Sequence, residues 1–305
     1  MLVFTLKRLA GVVPTLFILL TATFLLVHLA PGSPLDGDRP MPAEIRANLE
    51  AKYHLDEPLV QQYGRYLLNI AQLDFGASYQ YKDTSVNDLI ATGFPVSLAV
   101  GGFSLLFALV IGIPLGILAA VRQNKPADYG AMAASLAGIS VPNFVLAPLM
   151  ILAFAVYNDW LPAGGLGGWQ NYVMPVIALG TMYLAYVTRL MRASTIEVLR
   201  APFIRTARAK GLSETRVFVV HVLPAALLPV ISFLGPGAAA ILTGSVVVEQ
   251  IFGIPGLGRF FVTAALNRDY TLVLGITLFY GIIIILFNLV VDVLYGWLDP
   301  RVTYR

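Results

Sequence analysis

The sequence contains no cysteine, which excludes disulfides, a thiolate nucleophile and any thiolate metal site. Charge is scarce as well: 12% of the residues are charged and 58% hydrophobic. That is about half the ~25% charged fraction of soluble globular proteins, so a water-soluble core is the wrong fold class. No Gly-Lys dipeptide occurs anywhere, and without one there is no phosphate-cradling P-loop. The net charge of +3 reflects where the cations fall along the chain and is no footprint for nucleic acid.

What is present is apolar sequence in long blocks. Six runs, 9–30, 94–121, 129–158, 170–188, 222–248 and 270–291, each approach or exceed the roughly 20 residues that a helix needs to cross about 30 Å of hydrocarbon. They are continuously apolar, whereas barrel strands alternate over about 10 residues. The expected fold is therefore all-α, a polytopic membrane protein with six transmembrane helices. The first run follows Lys7 and Arg8 like a signal peptide, but it is too long for a signal core. His28 also occupies a position where a cleavage site wants a small residue. It is expected to remain as an anchor.

Lys and Arg in short loops stay on the cytoplasmic side. Six spans put both termini on one side, and taking that side as cytoplasmic collects 13 of the 20 Lys and Arg residues. Both termini are expected to be cytoplasmic, in the inner membrane. The chain then divides into an N-terminus and first helix at 1–30 and a large extracytoplasmic loop at 31–93. A five-helix core at 94–298 and a tail at 299–305 follow. In the large loop Ile45, Leu49, Leu59, Tyr63, Tyr66, Leu67 and Ile70 recur near helical spacing, interrupted by Pro58. Two short amphipathic helices are expected there, lying on the membrane surface, capping a cavity, or serving as a stabilising hairpin. Trp160 and Trp169 suit the headgroup layer. The last outer loop reads as a re-entrant or interfacial segment.

Glycine and proline recur inside the spans, most sharply at Gly235-Pro236-Gly237 in the centre of the fifth. Backbone freed at membrane depth is tolerated only where it is buried in protein or lines a wet cavity, so a break and a pathway are expected there. Ser140, Asn143, Tyr183, Tyr186, Ser232, Gly235 and Thr243 are the candidate pathway lining. Hydroxyls, amides and aromatic edges of this kind would accept many peptide sequences without holding any tightly.

The segment 192–221 is too patterned for a connector. Pro202 suits the first turn of a short helix and Gly211 its end. Phe203, Ile204 and Ala207 then share a face, with Arg205 and Arg208 largely opposite. Ser213 caps a restart, with Glu214 at its positive end. Such an exposed knuckle suits insertion into a groove on another protein; the alternative is a basic loop resting on anionic lipid.

The stretch FIRTARAKGLSETRVFVVHVLPAALLPVI resembles the coupling-loop signature of ABC importer permeases. Ala207, Gly211, Leu223 and Pro224 stand at matching positions, while Arg205, Thr206 and His221 depart from the general form as in the peptide and nickel branch. LAPGSP, KYHLDEPLVQQYGRYL, DFGASYQYKDTSVNDLI, GSVVVEQIFGIPGLGRFFVTAALNRDY and DVLYGWLDPR extend the likeness to the B-type membrane subunit of oligopeptide (or dipeptide) importers. The resemblance implies a type I ABC importer permease fold. It implies a homologous second permease, two ATPase subunits that hold ATP and Mg, and an extracytoplasmic binding protein that delivers peptide. It also makes Arg205, Thr206, Ala207, Arg208, Ala209, Lys210, Gly211 and Leu212 the ATPase-coupling residues, with Ala207 on the face that would meet the ATPase groove. This chain would bind no cofactor or metal of its own and would not be an enzyme.

Ionisable residues inside spans are functional candidates by default. Asp292 is expected to pair with Arg189 or Arg301, Glu249 to be hydrated at the outer edge, and His28 to be a satisfied interfacial histidine. One rival, a proton-coupled peptide transporter, wants several buried carboxylates and two similar halves, which the sequence does not show. The other, an intramembrane hydrolase, would draw on Ser135, Ser140, Ser232 or Ser245, for which His221 offers no convincing partner.

Overall fold

The computed structural model describes residues 2–35 and 42–298, with side chains described for 11–35, 42–243 and 245–291. Among these residues the chain forms helices α1 (Leu2–Leu29), α2 (Ala43–Lys52), α3 (Leu59–Ala71), α4 (Val86–Val121), α5 (Pro126–Ser140) and α6 (Asn143–Met150). It continues with α7 (Gln170–Leu199), α8 (Pro202–Ala209), α9 (Glu214–Arg216), α10 (Leu223–Ile251), α11 (Leu257–Leu266) and α12 (Tyr270–Leu298). π-helical turns at Ile151–Val156 and Val217–Val222 extend α6 and precede α10.

Five helices are long and apolar enough to cross a membrane, and α5 with α6 make a sixth if that pair is one span. The third apolar run is therefore not one straight helix. It bends by 97° at Val141-Pro142, because a proline disfavours helical geometry in the residue before it, and Val141 is extended with ψ 111°. The fifth run shows the opposite outcome. The break expected at Gly235-Pro236-Gly237 is absent, and α10 passes through it as continuous helix. Gly235 instead lets α12 approach, since a Cβ there would lie 3.0 Å from Val291 Cβ.

Several helices start or end outside their apolar runs for local reasons. The α4 helix begins at Val86, ahead of the run at 94, because Ser85 and Asp88 form a reciprocal capping box: Asp88 N donates to Ser85 Oγ (3.1 Å) and Ser85 N to Asp88 Oδ2 (3.3 Å). The α7 helix continues past Thr188 to Leu199, so the first part of the expected 192–221 loop is helical. There Arg192 gives a bidentate bond to the buried Asp128 at the start of α5, at 2.6 and 2.7 Å. Such planar, charge-assisted pairing is the strong form of the interaction.

The central pair is α4 against α7. Ser104, Ala108, Gly112 and Gly116 repeat every four residues along the buried face of α4, a small-residue stripe that lets backbones close up where lipid supplies no hydrophobic drive. A Cβ on Gly116 would sit 2.6 Å from Thr188 O, and one on Gly180 of α7 would sit 2.9 Å from Ser104 O. Gly102, by contrast, has nothing within 4 Å of a built Cβ. Gly116→Leu is expected to lower the thermal midpoint in detergent, as overpacking typically costs about 1–3 kcal/mol. Gly102→Leu should leave it unchanged, and scanning fluorimetry on the two purified variants checks the pair.

At the end of the bundle opposite Arg122 and Lys125, the large loop packs down. Both short helices form there. Pro58 precedes α3, whose Tyr66 is buried against Leu20 and Phe24 of α1 and Leu274 and Leu278 of α12. The α2 helix buries nothing, and Ile45 and Leu59 stay exposed. Asp269 fastens this cap. It is fully buried and accepts from Ser78 Oγ, from Tyr79 N (3.1 Å) and Gln80 N (3.2 Å), and from Leu272 N (3.2 Å) at the start of α12. One carboxylate thus caps a helix and anchors a loop some 190 residues earlier in sequence.

Candidate functional site

The knuckle between α7 and α10 is assembled by local rules. Pro202 opens α8 at its first helical position, where its missing N–H costs nothing. Ile204 and Ala207 are buried against Val217 and Val222, with Leu212 and Phe218 beside them. At the far end Gly211 takes φ +78°. Gly211 N donates to Arg208 O (2.9 Å) and Leu212 N to Ala207 O (3.4 Å), the paired bonds of a Schellman motif, with Leu212 packed back on the helix. Ser213 then caps the restart, accepting from Arg216 N. Arg208 closes the corner with two bonds to Glu214, at 2.8 and 3.0 Å. That hydrogen-bonded partner raises the guanidinium pKa above its ordinary value.

Two placements differ from the sequence expectation. Ala207 faces its own chain and is 7% exposed, while Phe203 is 45% exposed. Phe203 lies about 100° round the helix from Ile204, so one side chain enters the seam against Val217 and Val222 while the other stays outside. The outward surface is therefore Pro202, Phe203, Arg205, Thr206, Arg208, Ala209, Lys210 and Gly211. Nothing lies within 4 Å of a Cβ built on Gly211, so its requirement is conformational rather than steric. Behind the knuckle the π-helical turn leads directly into α10, and Ser194 Oγ of α7 donates to Ala226 O of α10 at 2.7 Å.

The seven candidate lining residues do not form one surface. Ser140 and Asn143 flank the bend between α5 and α6. Tyr186 stacks on Phe233 across α7 and α10 at 5.9 Å, with Arg189 over its ring at 5.2 Å; Ser232 is exposed next to Phe233. Tyr183 is buried in the core, Gly235 packs on α12, and Thr243 is half-buried. Ser140, Ser232 and Thr243 donate their hydroxyls to Leu136 O (2.8 Å), Leu228 O (3.0 Å) and Ala239 O (3.0 Å) of their own helices. They therefore offer outward lone pairs and no free donor.

Glu249 departs furthest from expectation. It is not hydrated but fully buried, and its carboxylate accepts from Ser245 Oγ (2.7 Å) and from Gly258 N (2.8 Å) near the start of α11. Ser97 of α4 accepts from Leu257 N at 2.8 Å. Two other helices thus supply the N-terminal cap that Gly256 cannot. A glycine at 256 leaves room for that carboxylate. His28 has Nδ1 2.8 Å from Phe24 O and Nε2 3.3 Å from Gln62 Oε1, and a neutral ring donates to only one of these acceptors. The Asp292 side chain and Arg301 lie outside the described residues.

Ser135, Ser140 and Ser232 each donate to the carbonyl four residues earlier, Ser245 donates to Leu242 O and Glu249, and no serine–histidine bond occurs among the described residues. Nor do three His, Asp or Glu side chains converge on a metal position among them.

Residues 112–304 match the family described as binding-protein-dependent transport system inner membrane component. Over its full length the chain is 53% identical to the oligopeptide transport system permease protein OppB of Haemophilus influenzae, with all of both chains covered. It is 49% identical to the protein of that name from Escherichia coli, again over all of both chains. The dipeptide transport system permease protein DppB of Bacillus subtilis is 44% identical, over 98% of this chain and 97% of its own. Among solved structures, an inward-facing MetNI methionine ABC transporter chain superposes with a TM-score of 0.57 at 20% identity. It covers 69% of this chain and 96% of the other. The permease fold, the knuckle and the full-length likeness agree, and the chain belongs to the binding-protein-dependent transport system inner membrane components, in their peptide and nickel branch.

Proposed function

We propose that this chain is one of two homologous membrane subunits of an ATP-driven importer that moves oligopeptides across the inner membrane. The observation that carries the proposal is the Schellman-closed knuckle, an exposed and rigid corner built from its own local bonds. It joins α10 through a single π-helical turn. Two ATPase subunits, holding ATP and Mg, would grip the surface around Phe203, Thr206 and Gly211. Their closure would shift α10 against α7, and so move Phe233 relative to Tyr186. Peptide would arrive from an extracytoplasmic binding protein and pass between this subunit and its homologue. Tyr186 and Ser232, which flank Phe233, offer an aromatic edge and an acceptor oxygen that suit permissive handling of a repeating backbone. The exposed apolar residues of α1 and α4, among them Phe17, Leu26, Leu106 and Val110, suit contact with lipid or the second membrane subunit.

The reading requires the knuckle and both termini to be cytoplasmic. Single cysteines introduced into this cysteine-free chain at Lys82 and Trp169 should react with an impermeant maleimide from outside. Those at Lys125, Lys210 and Arg305 should react only after permeabilisation. Outside labelling at position 210 would overturn the assignment. Purification of the tagged chain from its native membrane should bring two ATPase subunits with it, which neither a proton-coupled transporter nor a hydrolase would do.

A further inference from the structure

At the end of the bundle opposite the knuckle, a cavity of about 200 Å³ opens between α1, α3, the turn after α2, the segment 75–79 and α12. Its floor is apolar, with Phe24 and Leu274. Its wall is aromatic: Tyr53 meets Tyr79 edge-on at 4.8 Å, and Tyr79 meets Tyr270 at 6.4 Å. Lys52 and Arg65 also line it, and no carboxylate does among the described residues. Glu57 stands behind, bound by Arg65 Nη2 at 2.6 Å and facing His54 Nδ1 at 2.9 Å. The Arg65 bond holds the Glu57 carboxyl below its ordinary range. Lys52 has no carboxylate partner among the described residues, and its ammonium lies 5.4 Å from the Tyr53 ring.

Tyr66 lines the cavity with its ring and is 8% exposed, while its hydroxyl is sealed from solvent and has no hydrogen-bond partner among the described residues. The Lys52 ammonium, the aromatic wall and the apolar floor together fit one chemistry.

We infer that this cavity binds a free carboxylate on an apolar or aromatic stem, the chemistry of a peptide's C-terminal residue. The volume, below the roughly 300–1,000 Å³ of sites that enclose a drug-sized ligand, admits one residue rather than a whole peptide. The inference rests on the proposed function for its extracytoplasmic placement and for the supply of peptides. The site would hold a released peptide by its end at the outer mouth.

The test uses the intact complex in lipid nanodiscs, without binding protein or nucleotide, and N-acetylphenylalanine as probe, followed by saturation-transfer NMR and equilibrium dialysis. Saturable binding is expected, at least tenfold tighter than that of N-acetylphenylalanine amide. Lys52→Gln should weaken it about tenfold. Tyr66→Phe should leave binding unchanged, since the hydroxyl it removes does not reach the cavity. No binding, equal binding of acid and amide, or a Lys52→Gln variant that binds like wild type would overturn the site. Tighter binding of N-acetylglutamic acid α-amide, whose only carboxylate is on its side chain, would replace the terminal carboxylate with an acidic side chain and overturn the peptide-end assignment. ATP-driven uptake is measured on the same complex. Transport without probe binding defeats the cavity alone, and probe binding without transport defeats the importer reading alone.

Discussion

Gly211→Asp is expected to leave the chain inserted and folded yet abolish peptide uptake and the ATPase stimulation that accompanies it, a loss of at least tenfold in both. Gly211 sits at φ +78° with open space around a built Cβ. The aspartate therefore meets no clash, but it must hold a left-handed backbone that costs a residue with a side chain roughly 1–2 kcal/mol. It also sets a new charge on the surface offered to the ATPase. The knuckle relaxes that strain by abandoning the bonds from Gly211 N and Leu212 N to the end of α8, and the corner loses its shape. Gly211→Ala carries the strain without the charge, so it should show a smaller loss of the same kind. An Arg205/Arg208 double alanine variant separates the alternatives. Arg208 binds Glu214 on an exposed surface, where such pairs contribute about 0–1 kcal/mol, so coupling should largely survive. A basic loop resting on lipid predicts the reverse order, with the double variant dead and Gly211→Asp active. Uptake and ATPase assays on reconstituted complexes read the outcome.

Glu249→Ala carries the second large effect. Its carboxylate is the acceptor for Gly258 N and Ser245 Oγ in a site with no exposure. Removing it orphans the buried Gly258 N–H at about 1–3 kcal/mol, while Ser245 Oγ keeps Leu242 O as an acceptor. The α11 helix packs on α4, α10 and α12, so its loosening should lower the thermal midpoint of the detergent-solubilised chain and its steady-state level in the membrane. Glu249→Gln retains one acceptor oxygen and should fall between wild type and alanine. If Glu249 were a hydrated surface acid, both variants would melt like wild type.

What could be read beforehand divides along physical lines. The helical class and the knuckle were legible because both depend on local sequence: continuous apolar runs, a proline at a helix start, a glycine at its end and a serine cap. Ala207 was placed on the wrong face because the seam it fills is made by Val217 and Val222, which follow the corner, and a helical wheel of α8 alone does not contain them. The 97° bend at Val141-Pro142 and the unbroken passage of α10 through Pro236 show why proline alone does not decide. At Pro142 the preceding residue, Val141, is free to become extended, whereas around Pro236 packing of Gly235 against α12 holds the helix together. Glu249 and Asp269 were hidden for a different reason. Each binds backbone or hydroxyl donors that are distant in sequence or belong to another helix, so no spacing rule marks them. The one available sign for Glu249 was an acid just ahead of a glycine-flanked helix start.

The chain's place in a transport family leaves the energy source as the point on which the account stands. The most direct measurement is accumulation of a labelled oligopeptide in sealed proteoliposomes that contain this chain, its homologous partner and the ATPase subunits, with binding protein on the peptide side and nucleotide on the knuckle side. The account predicts uptake that requires hydrolysable ATP and binding protein and is indifferent to a protonophore. Uptake that persists without ATP and collapses with the proton gradient would contradict it.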